Sequence, residues 1–161
     1  MDMGNESTFE LIRADSTDNE ALVSLARQGA ASFGWKAELT VDRHLAQLLR
    51  LRVAQINNCT YCLNRHYQVA RDLGIDQPKL DVLSAWWETN LFSAAEQAAI
   101  SYTEALTRIS DTTIANRFQN YHDRLTEHFD SAEVLEIMGV VINMNIWTRL
   151  KLAEGAMPTM P

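Results

Sequence analysis

Apolar residues recur three and four positions apart along this chain, and no stretch alternates apolar with polar residues for long enough to make a strand. That period gathers the apolar side chains on one face of a helix. The chain is therefore held to an all-α fold whose helices bury their stripes against one another. Capping residues mark the openings. A first helix is expected over about 19–33, ending near Gly34. A second is expected from Thr40, as N-cap, to about Ile56, with Leu45, Leu48, Leu49, Val53 and Ile56 as its stripe. Asn57-Asn58 interrupts the pattern, since Asn suits both a C-cap and an N-cap. A third helix runs from about Cys59 to just before Gly74, and a fourth from Pro78 to about Glu88. Ser93-Ala-Ala-Glu96 reads as a capping box that opens a fifth toward Ile109. A sixth is expected over 114–129, and a long seventh follows Asp130-Ser131 past Asn145 and Arg149, with Gly155 beyond its end. Residues 1–17 are weakly patterned and read as a loose arm or a short element; the tail MPTMP carries no expected structure. With no repeat and short connections, the expectation is one domain, residues 1–161, of about seven helices.

A chain of 161 residues buries a real core and needs no disulfide staple. Its two cysteines, three positions apart, would make a poor one, because so short a loop removes little entropy from the unfolded chain. The formal net charge of −7 argues against nucleic acid and against a polybasic membrane contact. No apolar run is long enough to span a bilayer. The opening MDMGNESTFE lacks the basic start and apolar core of an export signal, so a cytoplasmic location is expected.

Chemistry concentrates in Ala54-Gln-Ile-Asn-Asn-Cys59-Thr-Tyr-Cys62-Leu-Asn-Arg-His66. Residues three and four apart share a helix face, so Cys59, Cys62 and His66 line up on one side of the third helix. Cys59 stands at its first turn, where unpaired backbone N–H groups and the helix dipole favour a thiolate. A thiolate is the nucleophile of disulfide exchange and of peroxide reduction. His66, titrating near neutrality, could take the thiol proton. Inert core cysteines and half of a zinc site are the competing readings. His44, His122 and His128 show no second ligand pair at zinc-finger spacing. A c-type haem needs His directly after the second cysteine, and residue 63 is Leu. A thioredoxin site would need flanking strand–helix units, which the pattern lacks. No cofactor or metal is called for.

The run LLRLRVAQINNCTYCLNRHYQVARDLG, Leu48–Gly74, resembles the core motif of the AhpD-like (alkylhydroperoxidase D) family, which includes the carboxymuconolactone decarboxylases. Ser84-Ala-Trp-Trp-Glu88, Phe92-Ser-Ala-Ala-Glu96-Gln-Ala-Ala and Val141-Ile-Asn-Met-Asn145-Ile-Trp-Thr-Arg149-Leu extend the likeness, with a core motif over about 40–74. The resemblance implies an AhpD-like helical bundle that assembles as a trimer or hexamer. It also implies thiol-dependent reduction of hydroperoxides, with a thiol reductant or dithiol protein as partner. Cys62 would attack the peroxide, Cys59 would be the more exposed resolving thiol, and His66 would end a proton relay. That relay usually begins with a Glu where this chain has Gln47, an amide that accepts no proton at neutral pH. Tyr61 stands between the cysteines where alkylhydroperoxidase D has His. The dithiol is intact while the relay is altered, so disulfide exchange or redox sensing is the alternative function. Lactone decarboxylation ranks below both, because it does not use a CxxC pair.

Other residues carry weaker expectations. Glu38 or Glu88 could substitute for the relay carboxylate. Trp86, Trp87 and Trp147 could line a pocket for an organic hydroperoxide but read more simply as core or subunit interface. Asn143 and Asn145 are expected to bond neighbouring helices. The family pattern suggests that Arg149 pairs with Glu96. Met138 and Met144 read as packing residues, and Arg65 and Tyr67 as a protomer contact.

Overall fold

The computed structural model describes residues 9–160. The fold is mostly helical, with eight α-helices among the described residues: α1 Glu20–Phe33, α2 Arg43–Ile56, α3 Thr60–Asp72, α4 Gln77–Val82, α5 Ala94–Thr107, α6 Thr112–Ala115, α7 Phe118–Thr126 and α8 Ser131–Glu154. Helix α2 is the centre of the bundle. All ten residues from Leu45 to Ala54 are buried, because α3, α5 and α8 pack around it. Helix α8, about 36 Å long at 1.5 Å per residue, lies along α1, α2 and α5.

Caps set most helix boundaries. Asn19 accepts from the Leu22 amide at the start of α1. Reciprocal capping boxes, Ser93 with Glu96 and Asp130 with Glu133, open α5 and α8. Gly155, at φ 65°, closes α8 in the left-handed conformation that glycine adopts without steric penalty. Helix α2 opens two residues later than expected. Asp42, not Thr40, caps it, and the Thr40 and Val41 amides instead donate to the Glu136 carboxylate of α8 at 3.0 and 2.8 Å.

Three further expectations are corrected. The sixth helix is two, because Arg117 (φ −120°, ψ 11°) leaves the helical region between α6 and α7. The fourth passes after Val82 into a 3-10 turn, Leu83–Glu88, kinked at Ala85. Finally, part of the arm and of the tail is ordered. Strand β1, Phe9–Leu11, pairs antiparallel with β2, Ala156–Pro158, in the register Phe9 to Pro158 and Leu11 to Ala156. The first eight residues of the expected arm lie outside the described residues.

Polar ties then position the turn that carries the cysteines. Asn57, at the end of α2, donates to Asn145 Oδ1 (3.1 Å) and Thr148 Oγ1 (3.0 Å), and Asn145 donates to Thr107 of α5 (3.1 Å). Asn58 takes a left-handed φ of 51°, which Asn tolerates better than most residues, and the chain reverses there into α3. Asn145 thus bonds its neighbours as expected. The buried Asn143 Nδ2 has no hydrogen-bond partner among the described residues and rests against Gly29. Arg149 bonds Asn145 rather than Glu96, whose carboxylate pairs with Lys79. That separation removes the expected Arg149–Glu96 pair. Met144 is buried and Met138 packs against the core.

Candidate active site

Cys59 is the N-cap of α3, and its Sγ accepts from the Cys62 amide at 3.3 Å. The two cysteines form a disulfide, with Cα atoms 5.2 Å apart. When the pair is reduced, the same amide and the α3 dipole favour a thiolate at this end of the helix. Both cysteines are almost fully buried, Cys59 at 1% exposure and Cys62 at 2%. Cys59 is therefore not the more exposed of the two, because both cysteines belong to the buried core cluster.

His66 follows Cys62 by one turn on the buried face of α3. Gln47, fully buried on α2, reaches across to it. The Gln47 Nε2 lies 3.1 Å from His66 Nδ1 and donates to the His66 carbonyl oxygen at 3.0 Å. Arg50, one turn along α2, donates to Gln47 Oε1 at 3.3 Å and to the carbonyl oxygens of Phe33 and Gly34 at 2.9 and 3.0 Å. No hydrogen bond joins His66 to either sulfur in this oxidised form. Burial, followed by the positive charges of Arg50 and Arg65, pushes the His66 imidazolium down to about 3. Burial also pulls Arg50 down to about 10, which leaves it charged at neutral pH.

The structure thus gathers Gln47, His66, Cys59 and Cys62 and sets Tyr61 apart. The Tyr61 ring meets the edge of Phe9 at 4.9 Å and the Lys151 ammonium at 5.1 Å. Both contacts belong to a cleft of about 270 Å³ between β1, the start of α1 and the end of α8, which Trp147 and Leu150 also line. Trp86 is core, donating to Glu104 at 2.8 Å, and Trp87 is exposed. Glu38 and Glu88 are both exposed surface residues. Tyr67 accepts from Gln55 at 2.9 Å, and Arg65 lies over the Trp35 ring.

Arg50 is the site residue that sequence reasoning missed. Its signal was present: a charged side chain within a largely apolar helix, three residues after Gln47 and so on the same face.

The model of the carboxymuconolactone decarboxylase family matches residues 24–105, half of the chain and all of the cysteine-bearing motif. The chain belongs to that family. As a member of the AhpD-like and carboxymuconolactone decarboxylase family, it is similar to the uncharacterized protein YdfG of Bacillus subtilis (strain 168). The two are 29% identical over 116 residues, 72% of this chain and 77% of YdfG. Two solved structures share the fold. One is ATU0492 of Agrobacterium tumefaciens, a protein of unknown function named as a candidate antioxidant defence protein AhpD. It has a TM-score of 0.74 at 20% identity and covers 91% of this chain and 94% of that one. The other is the debrominase Bmp8, with a TM-score of 0.67 at 16% identity, covering 96% and 93%. Family membership and the adjacent cysteines are compatible with antioxidant function, and Bmp8 shows that the fold also serves other chemistry.

Proposed function

We propose that this chain is a thiol-dependent peroxidase that cycles the Cys59–Cys62 pair between dithiol and disulfide. The observation that carries the reading is the bonded pair at the N-terminus of α3, with His66 one turn on. The Cys62 thiolate attacks the terminal oxygen of a hydroperoxide, and the O–O bond breaks. Cys62 becomes a sulfenic acid, and the released alkoxide takes a proton to become an alcohol. The Cys59 thiol then displaces water from the sulfenic acid to form the disulfide. An external thiol reductant or dithiol protein restores both thiols and is itself oxidised. No cofactor or metal enters the cycle.

The test follows thiol loss in the reduced protein with an organic hydroperoxide. Two thiols per chain should disappear rapidly, and in a Cys62→Ser variant the one remaining thiol, Cys59, should be lost no faster than a free thiol is. Full peroxidase activity in that variant would refute the assignment.

Disulfide exchange with little peroxidase activity is the second reading. Gln47 favours it, because the usual relay carboxylate is an amide here. That reading predicts rapid cycling with small dithiols and slow reaction with peroxide. We further infer a cytoplasmic homo-oligomer, trimer or hexamer. Leu135 and Ile142 of α8 and Leu22 and Leu25 of α1 remain exposed on two helices packed against each other, an apolar face suited to another copy. Sedimentation velocity would give the copy number, and a monomer would refute it.

A further inference from the structure

We propose that Gln47 locks His66 as the Nε2–H tautomer, so that the ring enters the thiol cycle as a hydrogen-bond donor and not as a proton acceptor. An amide nitrogen has protons to give and no lone pair to receive one, whereas an amide oxygen only accepts. The 3.1 Å contact from Gln47 Nε2 to His66 Nδ1 therefore requires a bare lone pair on Nδ1. A neutral imidazole with Nδ1 bare carries its proton on Nε2.

The orientation of the amide is set by its surroundings. The His66 carbonyl oxygen, 3.0 Å from Gln47 Nε2, can only accept, so it needs the NH2 end. The Arg50 guanidinium, 3.3 Å from Gln47 Oε1, can only donate, so it needs the oxygen end. Turning the amide over would set oxygen against oxygen on one side and donor against donor on the other, both at buried positions. Arg50 is held in its turn by the Phe33 and Gly34 carbonyls, so the α1 C-terminus, Arg50, Gln47 and His66 form one chain of fixed donors and acceptors. The doubly protonated ring does not fit it either. Its Nδ1–H would face the amide N–H, with the Arg50 charge beyond.

The consequence is a site in which the thiol proton does not pass to His66. Thiolate formation at α3 rests on the helix N-terminus, and Nε2–H is free to donate to a sulfur anion or to a peroxide oxygen. That use in catalysis rests on the reading proposed above; the tautomer itself does not.

The test is NMR on the full chain labelled with 15N, with His66 distinguished from the other three of four histidines by a His66→Gln variant. At neutral pH the expected spectrum shows a bare Nδ1, a protonated Nε2 and a coupling across the hydrogen bond between Gln47 Nε2 and His66 Nδ1. A protonated Nδ1, in either the other tautomer or the imidazolium, overturns the proposal. The near-isosteric Gln47→Glu variant should move the proton to Nδ1, since a carboxylate can only accept there; a bare Nδ1 that survives it removes Gln47 from the role. Peroxidase activity is read separately through Cys62→Ser. An inactive wild type with the expected tautomer defeats the peroxidase reading alone, and an active one with Nδ1–H defeats this proposal alone.

Discussion

Acid should unfold this protein through His66, and the size of the effect follows from its burial. An unfolded histidine takes its proton near pH 6.5, whereas the folded site resists it until about pH 3. Between those values the unfolded state binds more protons than the folded one, so stability falls as pH falls. Above 6.5 both states carry a neutral ring, and below about 3 both carry a charged one, so the loss is confined to that window. Each pH unit inside it is worth about 1.4 kcal/mol. Going from pH 6.5 to about pH 4 should therefore remove about 3 kcal/mol, a large part of the stability of a domain this size. Urea unfolding of wild type and His66→Gln at several pH values isolates the effect, because carboxylates common to both proteins cancel in the difference. Wild type should lose its advantage steadily on acidification. Parallel curves would show that His66 protonates freely in the folded state and would refute the account of its surroundings.

Two substitutions test what holds the site in place. Glu104→Gln removes the charge that answers Arg52, whose side chain is 6% exposed and lies 2.7 Å away. It should cost about 3–5 kcal/mol in urea unfolding, and adding Arg52→Met should restore much of that; an unchanged midpoint would refute the pairing. Gly34→Ala places a Cβ 2.4 Å from the Ala30 carbonyl oxygen, which already holds the Gly34 amide. A loss of about 1–3 kcal/mol is expected, together with a loosened Arg50, and a neutral or stabilising effect would contradict the packing.

Local signals were legible in the sequence and distant ones were not. The Ser93–Glu96 capping box and the Asp130 cap each complete their hydrogen bonds within four residues, and both helices open where they predicted. The α6–α7 break carries neither Pro nor Gly, so nothing local announced it. The ribbon joins segments of three residues from opposite ends of the described chain, too short to show alternation. In the site, the face shared by Cys59, Cys62 and His66 followed from spacing alone, and the meeting of Gln47 with His66 followed from the family resemblance. The role of Arg50 did not, because its other partners are backbone carbonyls of α1, and a sequence does not show which carbonyls a fold will bring near. Burial of Cys59 was hidden for the same reason, since the core it joins is assembled from helices far apart in the chain.

The register of the ribbon has a mechanical consequence. Phe9 pairs with Pro158 and Leu11 with Ala156, so the two outward-leading ends lie side by side at one edge. Tension applied at those ends peels the strands apart one pair at a time, instead of loading all their bonds together in shear. The ribbon is thus the first part of the chain to yield to a pull, ahead of the helices it joins. The first side chain drawn away is Phe9, whose ring rests on Tyr61 between the two cysteines.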